Sequence, residues 1–321
     1  MTLRHIFNAA LSFFAVAALA ASCAVEEIET VSPSDNYVAV SAAATKAATI
    51  SEVPSTFAVW GYVWPDGEAM GTPTWMCGED FVKDGTLWRS TLRHGNIPAG
   101  YLMRLWAMWP KTAAGLSGLP LAGTAGTPSF GYTVPRAVAS QQDLIVAWGD
   151  TYDIQPATFP LVFRHALSCV LFKTATENVQ ACTIKSISIG TLKDTGTYTE
   201  GAGWSGLSGA ATYLISPNQA IATSDIDVRV GTEAQTMILM PQVLPASAVV
   251  SVDFRRAGAS SDETLTASLE GLELEMGYKT VIRLLIPEPA EEPEGAGTLS
   301  LEVTTTPWNE GYVFNYDSDG D

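Results

Sequence analysis

The chain has 321 residues, 47% hydrophobic and 16% charged, with 17 Lys and Arg against 34 Asp and Glu for a net charge of −17. That length suits two domains of ordinary size, each able to bury a core, and the composition excludes a disordered chain. So negative a balance argues against nucleic acid and anionic lipid headgroups as partners.

Residues 1–22 read as a signal peptide: Arg4 supplies the positive start, and residues 9–21 form an apolar run of 13, too short to span a bilayer. The small residues Ala20, Ala21 and Ser22 precede Cys23 as in a lipobox, which implies a diacylglycerol on the Cys23 thiol. Each acyl CH2 buried in a membrane adds about 0.8 kcal/mol, so two or more chains favour stable residence there. No second spanning segment follows; the apolar run 237–240 has strand length and stops at Pro241. Export by this route permits disulfides.

From residue 37 onward no segment sustains a helical period. Short runs rich in Val, Ile, Thr, Phe, Trp and Tyr alternate with Gly, Pro, Asp and Asn, the signature of an all-β sandwich fold. The predicted strands are 57–64, 101–109, 143–148, 159–173, 183–189, 226–230, 236–240, 248–255 and 278–286. Alternation is clear in SVDFR and KTVIRLLI, where Lys279 and Arg283 can face water. Residues 116–130 read as a long loop and the glycine-rich stretch 196–209 as a mobile excursion. Domains are expected at 47–154 and 155–286, behind a lipidated segment and first strand at 23–46, with the break at 150–158. Residues 287–297 (PEPAEEPEGAG) form a stiff, solvated acidic linker. Beyond it, residues 298–321 hold a last strand and an acidic tail. In that strand Leu299, Leu301 and Val303 share one face, opposite Ser300, Glu302 and Thr304. Cys169 and Cys182 fall on neighbouring strands of an expected hairpin turning near 176–179. They form either a disulfide or a pair of small buried apolar residues, and the cysteine spacing fits no zinc pattern.

Little here points to catalysis. There is no Gly-x-Ser-x-Gly, no His-Glu-x-x-His and no phosphate loop, and no cofactor or metal is expected. His165 and His94 have no evident partner and read as structural. The terminal Asp317-Ser-Asp-Gly-Asp321 resembles part of a calcium loop without its later ligands and reads as an acidic tail. Trp60, Trp64, Trp75, Trp88, Trp106 and Trp109 cluster in the N-terminal half. They suit core packing or a stacking platform for a glycan.

The stretch 141–175, QQDLIVAWGD then FPLVFRHALSCVLFKTA, resembles the hallmark segment of the fimbrillin, or Mfa-like, family of surface pilins and lipoproteins. FAVWGYVW, LMRLWAMWP, ILMPQVLP and GYKTVIRLLI follow in the family's order. The resemblance implies two tandem transthyretin-like β-sandwich domains and no enzymatic activity. It implies a lipidated precursor at the cell outer membrane and surface, where Glu26, Glu27 and Glu29 are either an export signal or a solvated tether. Residues 37–50 resemble the family's first strand and its cleavage site for an Arg/Lys-specific protease. Lys46, the only basic residue between Cys23 and Lys83, is the matching position, and cleavage would leave Ala47 as the new N-terminus. The implied partners are other pilin subunits, joined by strand exchange with Leu299, Leu301 and Val303 as donor-strand residues. The alternative is a monomeric surface lipoprotein, or a pilus anchor, that binds a glycan or host protein.

Overall fold

The computed structural model describes residues 37–43, 53–288 apart from 122 and 124, and 298–308. Cys23, Lys46, Ala47, the linker from 289 and the tail from 309 lie outside the described residues. The described chain is all β, with short 3-10 turns at Val138–Ser140 and Glu233–Gln235.

Ten strands come first: β1 (Ala39–Ala43), β2 (Thr56–Pro65), β3 (Met76–Asp84), β4 (Leu87–Ser90), β5 (Tyr101–Trp109), β6 (Leu116–Ser117), β7 (Ser129–Thr133), β8 (Ile145–Trp148), β9 (Phe159–Val162) and β10 (Arg164–His165). Eight of them make one sheet in the order β10-β8-β5-β2-β3-β4-β1-β9. Its two end strands, β9 and β10, are separated in sequence only by Phe163. Consecutive Cα atoms are about 3.8 Å apart, so the two ends of the sheet are neighbours in space and the sheet is rolled on itself. Val38, Val40, Phe57, Val59, Phe81, Leu105, Ile145, Phe159, Leu161 and Phe163 fill the interior of the roll.

Side chains alternate along a strand, so each strand that faces this interior also presents a second face. In β2 that face is Ala58, Trp60, Tyr62 and Trp64; in β5 it is Trp106 and Met108; in β8 it is Val146. These residues are buried too, which explains why FAVWGYVW is almost continuously apolar: a strand covered on both sides has no solvent face.

The remaining strands are β11 (Ser168–Thr174), β12 (Cys182–Leu192), β13 (Thr195–Thr199), β14 (Gly203–Ser208), β15 (Ala211–Ile215), β16 (Gln219–Ile221), β17 (Arg229–Val230), β18 (Met237–Leu239), β19 (Gln242–Val243), β20 (Val249–Arg256), β21 (Glu263–Ser268), β22 (Glu273–Leu274), β23 (Tyr278–Leu285) and β24 (Ser300–Pro307). Two sheets form the second sandwich. One runs β17-β11-β23-β24 with β18 also on β11; the other runs β15-β12-β20-β21 with β16 on β12. Val170 and Phe172 of β11, Ile282 and Leu284 of β23, Ile184, Ile187 and Ile189 of β12, and Val250, Val252 and Phe254 of β20 share one core. A two-stranded ladder of β19 and β22 completes the set.

A fifth sheet, β14-β13-β7-β6, joins the halves by pairing β7 with β13. It brings Phe130, Tyr132, Tyr198 and Trp204 against the second face of the first sheet, so this core is continuous with that of the second sandwich. Phe130 stacks on Tyr198 at 5.1 Å between centroids, Trp204 meets Phe130 edge-on at 5.7 Å, and Trp60 lies 4.8 Å from Trp106. Such pairs add about 0.5–1.5 kcal/mol each beyond area burial. Here the structure corrects the expectation of a mobile excursion at 196–209. Gly201, Gly203, Gly206 and Gly209 take positive φ, which lets the chain turn tightly into the β13–β14 hairpin while Tyr198 and Trp204 anchor it.

Two other expectations change, and a third is resolved between its alternatives. The strand at 226–230 shrinks to Arg229–Val230, because Asp227 adopts a φ of 54° in a turn and Ile226 is exposed. Cys169 and Cys182 are not hairpin neighbours: β11 and β12 belong to different sheets, and both thiols are free and buried. Burial pushes the Cys169 thiol up to about 12 and that of Cys182 to about 11, so both stay protonated at neutral pH. Finally, five of the six N-terminal tryptophans are buried and Trp75 is half-buried, which makes them packing residues and leaves no exposed stacking face.

Candidate assembly site: a two-sided strand slot and a C-terminal strand

Two segments are added to the body in unusual ways, one at each end of the described chain. The first is β1. It is clasped on both flanks, antiparallel to β4 through Ala39↔Arg89 and Val40↔Trp88, and parallel to β9 from Val40↔Phe159 to Ala43↔Val162. Just before it, the Val38 N–H donates to Ser90 Oγ (3.0 Å), and the Ser90 N–H donates back to the Val38 carbonyl (3.0 Å). Val38 and Val40 are buried in the roll, with Ala42 packed against it. Outside the slot Tyr37 is half exposed, with the Arg93 guanidinium 5.4 Å from its ring centroid.

The physical role of β1 follows from the strand order. β9 has β1 as its one neighbour in that sheet, and β4 reaches β9 only through it. Without β1, the facing backbones of β4 and β9 lose their hydrogen-bond partners, and the core filled by Val38 and Val40 opens. Unpaired strand edges and uncovered apolar pockets are what a sheet recruits another strand to satisfy.

The second segment is β24. It pairs antiparallel with β23, from Leu285↔Ser300 to Tyr278↔Pro307, at the edge of its sheet. Of the expected donor-strand residues, Leu299 just ahead of the strand is buried, Leu301 is half-buried against the second core, and Val303 is 41% exposed. Most of the strand between faces solvent. Its end does not: Trp308 is fully buried, and its backbone N–H donates to the Gly277 carbonyl at 2.8 Å.

Trp308 meets the residues that sequence left isolated. Its ring lies parallel to that of His165, 3.8 Å between centroids with 5° between planes. His165 Nδ1 is 2.6 Å from Asp143 Oδ2 in a buried pair. The absence of a carboxylate partner for His165, expected from sequence, is thus corrected. β10 pairs antiparallel with β8 at His165↔Ile145, and this register brings Asp143, just before β8, beside the imidazole. The next-door side chain points to the other face. Arg164 donates to Tyr198 Oη (3.0 Å) and pairs with Glu200, which also accepts from Trp106 Nε1 (3.1 Å). Burial disfavours the Arg164 charge, but the neighbouring Tyr198 and Glu200 raise its pKa above the ordinary value. His94 also has a carboxylate partner, Glu79. Among the described residues no cluster of His, Cys, Asp and Glu is arranged to hold a metal ion.

This is an all-β protein of two tandem sandwiches in which one terminal strand is wedged between two others and the other lies along an edge. The fimbrillin-like family profile matches residues 103–308, more than half of the chain, and the protein belongs to that family. Among solved structures, a fimbrial protein from Bacteroides vulgatus ATCC 8482 superposes with a TM-score of 0.60 at 14% identity, over 84% of this chain and 99% of that one. A candidate cell-adhesion protein from Bacteroides ovatus ATCC 8483 gives 0.55 at 15% identity, over 84% and 97%. At these identities the likeness is one of fold. No curated protein matches the sequence.

Proposed function

We propose that this protein is a structural or adhesive subunit of a cell-surface pilus, without enzymatic activity, exported as a lipoprotein acylated on Cys23. An Arg/Lys-specific protease cuts between Lys46 and Ala47 and frees β1 together with the lipid. A strand of a neighbouring subunit then enters the vacated slot between β4 and β9 by β-augmentation. The donor is the segment around β24, carrying Leu299, Leu301 and Val303. Repeated head to tail, such a heterologous contact builds an open filament.

One observation carries this reading: β1 is paired on both flanks, yet it joins the body through a segment holding Lys46, the only Lys or Arg between Cys23 and Lys83. A single cut there turns an internal strand into a dissociable one. The burial of Trp308 favours a second reading, in which β24 stays on its own subunit and the protein is a lipid-bound anchor or a monomeric surface binder of a glycan or host protein.

Intact mass and N-terminal sequencing of protein sheared from the cell surface separate the two. A lipid-free chain starting at Ala47, and loss of both processing and filaments in Lys46→Ala, are the expected results. A chain starting at acylated Cys23 in assembled filaments refutes the cleavage step and supports the anchor.

A further inference from the structure

β24 is held very unevenly. Along its length it has one neighbour, β23, and its residues are mostly exposed. The strong holds are at its two ends, Leu299 entering the second core and Trp308 entering the seat formed by Asp143 and His165. That seat belongs to the first sheet, whereas β24 belongs to a sheet of the second sandwich. The strand is therefore a strap fastened across the junction of the two halves.

We propose that Trp308 on the Asp143–His165 seat is a latch, whose withdrawal frees β24 as a unit while the sandwiches stay folded. The Trp ring gains burial and a parallel stack. Against this, Asp143 Oδ1, His165 Nε2 and Trp308 Nε1 are all buried without a hydrogen-bond partner among the described residues. A buried polar atom left unpaired forfeits the water it would bind outside. Leaving the seat returns the indole N–H to solvent and opens the Asp143–His165 pair to water, which offsets part of the lost burial. A wholly apolar seat would have no such compensation. The latch is thus specific in shape yet weaker than its buried area implies. Its consequence for assembly rests on the donor-strand reading above: β24 stays on its own subunit until Trp308 leaves.

Hydrogen exchange of the full chain, resolved to segments, tests the latch directly. In Trp308→Ala the amides of β24 are expected to exchange at least tenfold faster, with β12 and β20 unchanged. His165→Gln, which removes the stacked ring but keeps the strap intact, is expected to act in the same direction. Unchanged β24 exchange in both variants, or acceleration spread equally over β12 and β20 in both, overturns the proposal. A cross-link tests the assembly role separately. Thr280 and Thr305 face each other in register with Oγ1 atoms 3.4 Å apart, so T280C with T305C can fasten β24 to β23. The oxidised protein is expected to stay monomeric after cleavage at Lys46 and the reduced protein to polymerise. If the oxidised protein polymerises equally while the exchange results hold, the latch stands and the donor is another segment.

Discussion

Val40→Ala tests the slot quantitatively. Val40 is fully buried and sits where β1 is paired to both β4 and β9. Removing two methyl groups costs about 1.6 kcal/mol in transfer free energy at about 0.8 kcal/mol per buried carbon. A residual cavity of about 50 Å3 adds about 1.2 kcal/mol if the surroundings do not relax. The intact precursor is therefore expected to lose about 2–3 kcal/mol of stability. Once the chain is cut after Lys46 and β1 has been removed, wild type and variant are the same molecule, and the difference must vanish. Urea denaturation of intact and cleaved protein, followed by tryptophan fluorescence, reads both quantities. A loss below about 0.5 kcal/mol in the intact form would mean that Val40 does not close the roll. An equal loss in both forms would mean that β1 stays bound after cleavage, and the slot would then be closed to any incoming strand.

Two further substitutions probe the frame around this site. Glu200→Gln removes a buried charge shared by Arg164, Tyr198 and Trp106 and is expected to cost about 3 kcal/mol, since it strands the Arg164 charge; a loss under 1 kcal/mol would show that solvent reaches the guanidinium. The Asp227 pKa is lowered from its ordinary value because Lys173 and Arg283 both donate to its carboxylate. Its contribution is present above the unfolded carboxylate pKa and is lost as pH falls through the lower folded value. Since Asp227 is more than a third exposed, Asp227→Asn is expected to cost at most about 1 kcal/mol at pH 7 and progressively less on acidification; a cost independent of pH between 7 and 2 refutes the ion-pair account.

The parts of the fold that sequence made legible are those with one dominant physical cause. Residues 57–64 and 101–109 read as strands because both faces are buried, and their apolar runs need no partner to be recognised. β3 was missed because only Met76 and Phe81 of its nine residues are buried, too few for an alternating pattern. The β13–β14 hairpin was missed because its glycines signal turns more loudly than Tyr198 and Trp204 signal packing. The pairing of His165 with Asp143 needs the register of β8 on β10, which no local pattern encodes, and the approach of Trp308 needs the whole second half of the chain. The first strand was legible only through the family resemblance, whereas the C-terminal strand showed in the alternation of Leu299, Leu301 and Val303 and only its donor role came from the resemblance. The two-sided clasp on β1 and the anchoring of β24 at its ends depend on long-range order.

The clasp on β1 also bears on mechanical strength. A strand with ladders on both flanks, pulled along its own axis, loads many hydrogen bonds at once, and they must shear together. A strand on an edge, lifted from one end, breaks its bonds one after another. The slot between β4 and β9 is of the first kind and the bed of β24 on β23 is of the second. A strap that leaves an edge and settles in such a slot moves from a mount that peels to one that bears tension.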